Sequence, residues 1–247
     1  MEGFILGTRF WERDPAKGPS AVERISSFIE GGRAAGARHI FVAIRVEEDR
    51  SGVLDQKWPN YATVFAVCPW GSFVNPLNSL LIKAHEGLAS GAYPLLASAE
   101  VAISQEAVAG LFAEMDNKTL VVGAALEGHV YEPGIHSPAN GRQVPWNTLA
   151  LWNPKFLWNT GFPLIGDGPI GEPKNAGVEE LCTIAVIQTL YPTSKARLVQ
   201  VPGQSWDTSQ FDAERLAKHE KKMASKVSRP AAQLAEMGLK GPKVTHI

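Results

Sequence analysis

The residues best suited to chemistry are two adjacent acids, Glu179 and Glu180, which follow Gly177-Val178 and precede an uncharged run from Leu181 to Leu190. Such a run reads as a buried helix, which puts the pair at a helix N-terminus. The dipole there lowers a carboxylate's pKa, while mutual repulsion and partial burial raise it. A carboxylate pulled both ways is suited to taking a proton from a hydroxyl nucleophile. Acids are also the ordinary residues of a helix's first turn, so residue type alone leaves both readings open.

Other candidates fall where strands end. Thr8 and Arg9 close the first apolar run, Arg45 and Glu47 lie at the end of the second, and Ser98-Ala99-Glu100 follows Tyr93-Pro94-Leu95-Leu96-Ala97. Open sheets bind ligands beyond the carboxyl ends of their strands, which makes these positions worth following. Trp146, Trp152 and Trp158 share a segment rich in Pro, Gly and Asn. An indole face stacks well on a sugar ring but is also a large core group; Trp146 is expected at the site and Trp152 in the core. His129, Glu132 and His136 could gather on a metal, although loop histidines more often serve as hydrogen-bond partners. In the basic stretch after Asp212, His219, Lys222 and Lys226 recur at spacings of three and four, so one helical face can carry all three.

Several strings mislead. Gly166-Asp167-Gly168-Pro169-Ile170-Gly171 matches G-x-G-x-x-G, but it lies late in the chain, in a loop, and Pro169 removes a backbone donor. Neither His85-Glu86 nor His219-Glu220 has a second histidine four residues after the first, and Gly203-Gln204-Ser205-Trp206 lacks the closing glycine of a nucleophile elbow.

The elements that must position these residues alternate along the chain. Ser20-Ala21-Val22-Glu23 reads as a capping box, with Val22, Ile25 and Ile29 on one helical face and Gly31-Gly32 loosening its end. Strands are expected at Phe4–Leu6 and on to Arg9, at His39–Ile44, Thr63–Val67, Tyr93–Ala97 and Leu120–Ala124. Leu77, Leu80, Leu81, Ala84 and Leu88 describe one amphipathic helix, and Ser104 caps another carrying Val108, Leu111, Phe112 and Met115. The alternation implies an α/β fold, a mostly parallel open sheet with helices on both faces. A long loop is expected from Glu127 to about Gly171, and a loose tail after Gly241-Pro242.

With 247 residues, 45% hydrophobic and a formal net charge of -1, the chain can build one large core and has no global field to attract nucleic acid. Cys68 and Cys182 are its 2 cysteines, far apart, which argues against a disulfide scaffold or thiolate zinc site. No apolar run approaches the ~20 residues of a spanning helix. No basic start with a long apolar run follows Met1, so cytoplasm is the expected compartment.

Taken in order, several stretches resemble the GT-A glycosyltransferases, especially the inverting family 2, among them Leu120 to Ala125, which is similar to a core strand of that family. Asn78 to Ser90 is similar to the helix before that family's metal strand, and Tyr93 to Val101 to the strand ending in Asp-x-Asp. Trp146 to Asn153 with Thr160-Gly161-Phe162 is similar to the acceptor segment, and Gly177-Val178-Glu179-Glu180 stands where the family has Gly-x-Glu-Asp. The resemblance spans roughly residues 38–190 and is one of pattern. It implies transfer of a sugar from a nucleoside diphosphate sugar to a hydroxyl acceptor, with Glu180 as general base and Glu179 orienting the acceptor. It places Thr8, Arg9, Arg45, Glu47, Asn78 and Ser98 around the nucleotide, and Trp146 and Asn147 at the acceptor. A manganese or magnesium ion would be held by Glu100, with Ser98 where the family has its first aspartate. His219 would complete that shell, and Lys222 and Lys226 would meet the diphosphate.

Two other functions fit the same layout. One is a non-catalytic protein of this fold that binds a nucleotide sugar or a partner, which the serine at position 98 favours. The other is a nucleotidyltransferase, for which Gly7-Thr8-Arg9-Phe10 makes a poor phosphate loop. The expected organisation is a single α/β unit over 1–211, with a nucleotide-binding half at 1–126 and an acceptor half at 127–211. A basic helical arm and tail occupy 212–247, and their removal after Phe211 is expected to leave the core folded.

Overall fold

The computed structural model describes residues 3–10, 20–45, 52–169, 176–202 and 213–247, and within the last stretch leaves out the side chains of 213–216, 218, 219, 221 and 222. Strands β1 (Phe4–Phe10), β2 (His39–Arg45), β3 (Ala62–Val67), β4 (Tyr93–Ala97), β5 (Thr119–Ala124), β6 (Gly134–His136), β7 (Leu149–Trp152), β8 (Lys195–Val199) and β9 (Val244–His246) form one sheet in the order β3-β2-β1-β4-β7-β5-β8-β9-β6. All of them except β6 and β7 share one direction. The expected mostly parallel α/β sheet is therefore present. Its central strands are buried on both faces, as in β5, where every residue from Thr119 to Ala124 is buried.

Helix α1 (Ala21–Ala34) starts where expected: Ser20 accepts from the Glu23 N–H, and the Glu23 carboxylate accepts from the Ser20 N–H at 2.8 Å. The helix runs on through Gly31-Gly32. Gly32 is buried against Leu6 and Ile40, where a Cβ would collide, so it serves close helix–sheet packing instead of loosening the end. The single helix expected over 77–88 is divided at Ala84 into α2 (Val74–Lys83) and α3 (His85–Ala89). Gly87 of the second piece packs close against Ile5 of β1, where a Cβ would collide. Helix α4 (Gln105–Ala113) is capped by Ser104, which accepts from the Ala107 N–H at 3.0 Å.

The long loop expected after Glu127 proves to hold β6, β7 and α5 (Pro154–Thr160). Strand β7 is antiparallel to both neighbours and lies between β4 and β5, near the middle of the sheet. Helix α6 (Glu179–Leu190) leads to β8, and α7 (Ala213–Glu236) crosses back against α6 before β9. The tail is not loose: β9 pairs in parallel with β8 and antiparallel with β6, and Val244 is wholly buried. Among the described residues no helix is long and apolar enough to cross a membrane.

Candidate functional site

The chain runs from β1 outward to β2 and β3, then returns to place β4 on the other side of β1. A crevice opens at the carboxyl ends of strands where connections diverge in this way, and ligands of open α/β sheets bind there. A cleft of about 200 Å³ lies at this place. Arg9 reaches it from β1, Ser98 and Glu100 from beyond β4, and Asn147 from the loop before β7. The turn Gly177-Val178 with Glu179 and Glu180 of α6 forms another wall, and α7 supplies Lys226 and Arg229.

Both acids are buried at the first turn of α6. Glu179 Oε1 pairs with the Arg9 guanidinium at 2.8 Å and accepts from the Asn147 side-chain amide at 3.3 Å. Burial alone would raise its pKa, but the positive charge of Arg9 and these hydrogen bonds outweigh it and hold Glu179 below the ordinary value. Glu180 Oε1 accepts from the Asn147 backbone N–H at 2.6 Å. Burial first, and then the neighbouring charge of Glu179, push Glu180 up to about 7, against the opposing pull of Lys226. One acid is thus an ionised anchor and the other is poised to exchange a proton near neutrality. Arg9 also donates to the Phe73 carbonyl at 2.8 Å, which fixes its guanidinium against the start of α2.

The turn before α6 is strained. Val178 stands at φ 62°, a left-handed conformation that costs a β-branched residue more than a glycine. Helix α7 holds this turn, with Arg229 Nη1 donating to the Ala176 carbonyl at 2.9 Å and Gln233 Nε2 donating to the Gly177 carbonyl at 2.9 Å. Pro230 lies inside α7 and has no N–H to offer the Lys226 carbonyl four residues earlier. That carbonyl instead accepts from the Gly141 N–H at 2.7 Å. Gly141 has no room for a Cβ, which would strike the Val178 side chain and press on the Lys226 carbonyl.

The sequence-based candidates separate in this geometry. Arg9, Ser98, Glu100, Asn147, Glu179, Glu180 and Lys226 come together at the cleft. Thr8 is buried in β1, with its hydroxyl facing the Arg9 carbonyl. Arg45 ends β2 and does not line the cleft. Asn78 is engaged elsewhere, since its amide donates to the Phe162 carbonyl at 2.9 Å and accepts from the Phe162 N–H at 2.8 Å. Glu47, and the side chains of His219 and Lys222, lie outside the described residues.

Trp146 is corrected from sugar platform to core. It is 1% exposed, its indole N–H donates to the Gly141 carbonyl, the Lys226 ammonium lies 3.1 Å from its ring centre, and the His129 ring stacks on it at 3.5 Å. A sugar has no open face there. Trp152 is core as expected, with its N–H donating to Asn147 Oδ1 at 2.9 Å. His129 and His136 do not converge on a metal: His129 bonds the backbone of Leu126 and Val144, and His136 the Glu132 carbonyl. No group of three or more His, Cys, Asp or Glu side chains able to hold a metal ion occurs among the described residues.

Sequence reasoning missed Arg229, Phe73 and Thr148. A proline within an otherwise helical basic run was the available signal for Arg229, because it marks where α7 must find an outside partner. The Gly166-Asp167-Gly168 string is no phosphate loop. It caps α2 instead, with Asp167 Oδ1 accepting from the N–H groups of Phe73 at 2.6 Å and Val74 at 3.0 Å.

No protein-family profile matches the chain, and no curated protein matches it. Among solved structures, a 4-diphosphocytidyl-2C-methyl-D-erythritol synthase is similar at 13% identity and a TM-score of 0.49, over 91% of this chain and 98% of that one. The corresponding synthase from Anaerococcus prevotii is similar at 12% identity and a TM-score of 0.46, over 90% and 99%. A nucleotidyl transferase from Methanothermobacter is similar at 12% identity and a TM-score of 0.39, over 98% and 87%.

Proposed function

We propose that this chain is a nucleotide-dependent transferase that binds a nucleoside triphosphate in the β1–β4 cleft and passes its nucleotidyl group to an anionic acceptor. The observation that carries this reading is the joint placement of Arg9, Lys226 and Arg229 around a crevice at the sheet's switch point. Phosphoryl chemistry asks mainly for positioned charge. An acceptor phosphate oxygen attacks the α-phosphorus, the bond from that phosphorus to the bridging oxygen breaks, and pyrophosphate leaves with the electron pair. A phosphate nucleophile is already ionised and needs no base. Lys226 and Arg229 are the cations suited to the leaving group, while Arg9, neutralised by Glu179, sets the wall on which the donor rests.

A second reading is glycosyl transfer to a hydroxyl, and Glu180 is the observation in its favour. Its raised pKa suits the base that such a nucleophile requires. The buried Trp146 and the internally bonded Asn147 count against it, because they leave no stacking platform for the acceptor.

The leaving group distinguishes the two. Calorimetry with nucleoside triphosphates and nucleoside diphosphate sugars identifies the donor, and phosphorus NMR of the products then identifies the reaction. Pyrophosphate release supports nucleotidyl transfer, and nucleoside diphosphate release supports glycosyl transfer. Tight binding without either product identifies a non-catalytic nucleotide binder, and no binding at millimolar donor rejects all three.

A further inference from the structure

We propose that α7 is a clamp that positions the acid pair, with Gln233 and Arg229 as positioning residues and Pro230 as the device that docks the helix. The inference rests on the reading of the cleft as a nucleotide site.

Lys226, Arg229 and Gln233 recur at spacings of three and four, so one face of α7 meets the rest of the molecule at successive turns. Two side chains of that face donate to backbone carbonyls, and the Lys226 backbone carbonyl accepts a third hydrogen bond. Arg229 and Gln233 hold the carbonyls of Ala176 and Gly177, the two residues before the strained Val178. The Lys226 carbonyl, released by Pro230, takes the Gly141 N–H of the loop that goes on to Trp146 and Asn147. Asn147 in turn donates to both acids. The helix therefore grips both supports of the pair: the turn from which Glu179 and Glu180 emerge, and the loop that supplies their hydrogen bonds.

The strain at Val178 shows why a clamp is needed. Glu179 and Glu180 are the first residues of α6, and no side chain caps the helix at Val178. A valine left to itself would leave the left-handed region and carry the first turn with it. Two hydrogen bonds from α7 hold the preceding carbonyls and so over-determine the turn. The Gln233 bond is wholly buried, where competing water is excluded.

The test is Gln233→Met, which keeps length and apolar bulk but removes the amide donor, combined with Val178→Gly, which relieves the strain that the clamp opposes. Because Glu179 holds Arg9 at the wall on which the donor rests, Gln233→Met is expected to raise the dissociation constant for a nucleoside triphosphate at least tenfold. Amide hydrogen exchange at Glu179, Glu180 and Leu181 is expected to quicken, and the double variant to recover both properties. Unchanged exchange in Gln233→Met, or no recovery on adding Val178→Gly, overturns the clamp. Should Gln233→Met fail to fold, Arg229→Lys keeps the charge, loses the donor to Ala176 and carries the same exchange expectation. Exchange requires no turnover, so the two proposals fail separately. The expected exchange pattern in a chain that binds no nucleotide sinks only the transferase, and an active enzyme with silent Gln233→Met sinks only the clamp.

Discussion

The backbone N–H of Asn147 donates to Oε1 of Glu180 across 2.6 Å, tying the loop before β7 to the first turn of α6. A backbone donor cannot rotate away as a side chain can, so Glu180 keeps this partner in either protonation state. What changes with its protonation is the repulsion from Glu179 and the cost of burying a second charge.

The first prediction follows from that cost. Glu180 has its folded-state pKa raised from 4.5 to about 7, so the native protein binds more protons than the unfolded chain between those values. Stability contributed by neutral Glu180 is complete below about 4.5 and is lost as pH rises through about 7. Glu180→Gln stays neutral and can still accept from Asn147. Its melting temperature is expected to match the parent near pH 4 and to exceed it at pH 8. Equal melting temperatures at both pH values would refute the assignment.

Glu179 is expected to behave in the opposite way. Its pKa is depressed, so the stability it confers is present above the ordinary carboxylate value of 4.5 and is lost as pH falls below it. Glu179→Gln leaves Arg9, whose side chain is 17% exposed, without its carboxylate. Removing one member of a buried pair costs about 3–5 kcal/mol, and this partly exposed arginine puts the loss near the lower end. Urea unfolding at pH 7.5 measures it, and a loss that is negligible there contradicts the pairing.

His129 provides a separate acid-sensitive element. Its Nδ1 accepts from the Leu126 N–H at 2.9 Å, which leaves Nε2–H to donate to the Val144 carbonyl at 3.0 Å. Burial first, and then the charge of Lys226, hold its pKa down from 6.5 to about 3. The unfolded chain therefore binds the extra proton throughout that window, and stability falls as pH drops from about 6.5 towards 3. His129→Gln is expected to flatten that slope, read as melting temperature against pH. A variant as acid-sensitive as the parent would exclude His129 as the cause.

Much of the sheet could be read from the residues because local signals agreed with tertiary need. The capping box at Ser20 and Glu23 and the apolar run from His39 to Ile44 each specify one structure. Strand β7 could not be read, because four buried residues, Leu149 to Trp152, show no alternation and sit among prolines and glycines. Strand β9 is three residues long and gains meaning only from its partners β8 and β6. The acids were legible through their place before a charge-free helix. The supports of that pair were not, since Arg229 and Gln233 belong to a helix whose charge suggests solvent, and they hold backbone carbonyls that have no sequence signature. Trp146 was misplaced for a related reason: an indole's value as a platform depends on its exposure, which residue type does not reveal.

The proline in α7 leads to the last prediction. An alanine at position 230 would regain an N–H and raise the helix's intrinsic preference by about 3 kcal/mol. The new N–H would compete with Gly141 for the Lys226 carbonyl, and the ring would no longer push that carbonyl outward. Pro230→Ala is thus expected to make α7 a better helix and a poorer clamp. Circular dichroism should show helix content kept or increased, while Gly141 amide exchange quickens and turnover falls. Gly141→Ala attacks the same junction from the other side, because its Cβ would strike the Val178 side chain and press on the Lys226 carbonyl. Overpacking of this kind costs about 1–3 kcal/mol, so it should lower both the melting temperature and turnover. Deleting everything after Phe211 is a blunter change, and its expected outcome is now loss of folding, because α7 and β9 contribute the buried Met223, Leu234 and Val244. If Pro230→Ala leaves Gly141 exchange and turnover unchanged, the proline has no docking role, and α7 is held by its side chains alone.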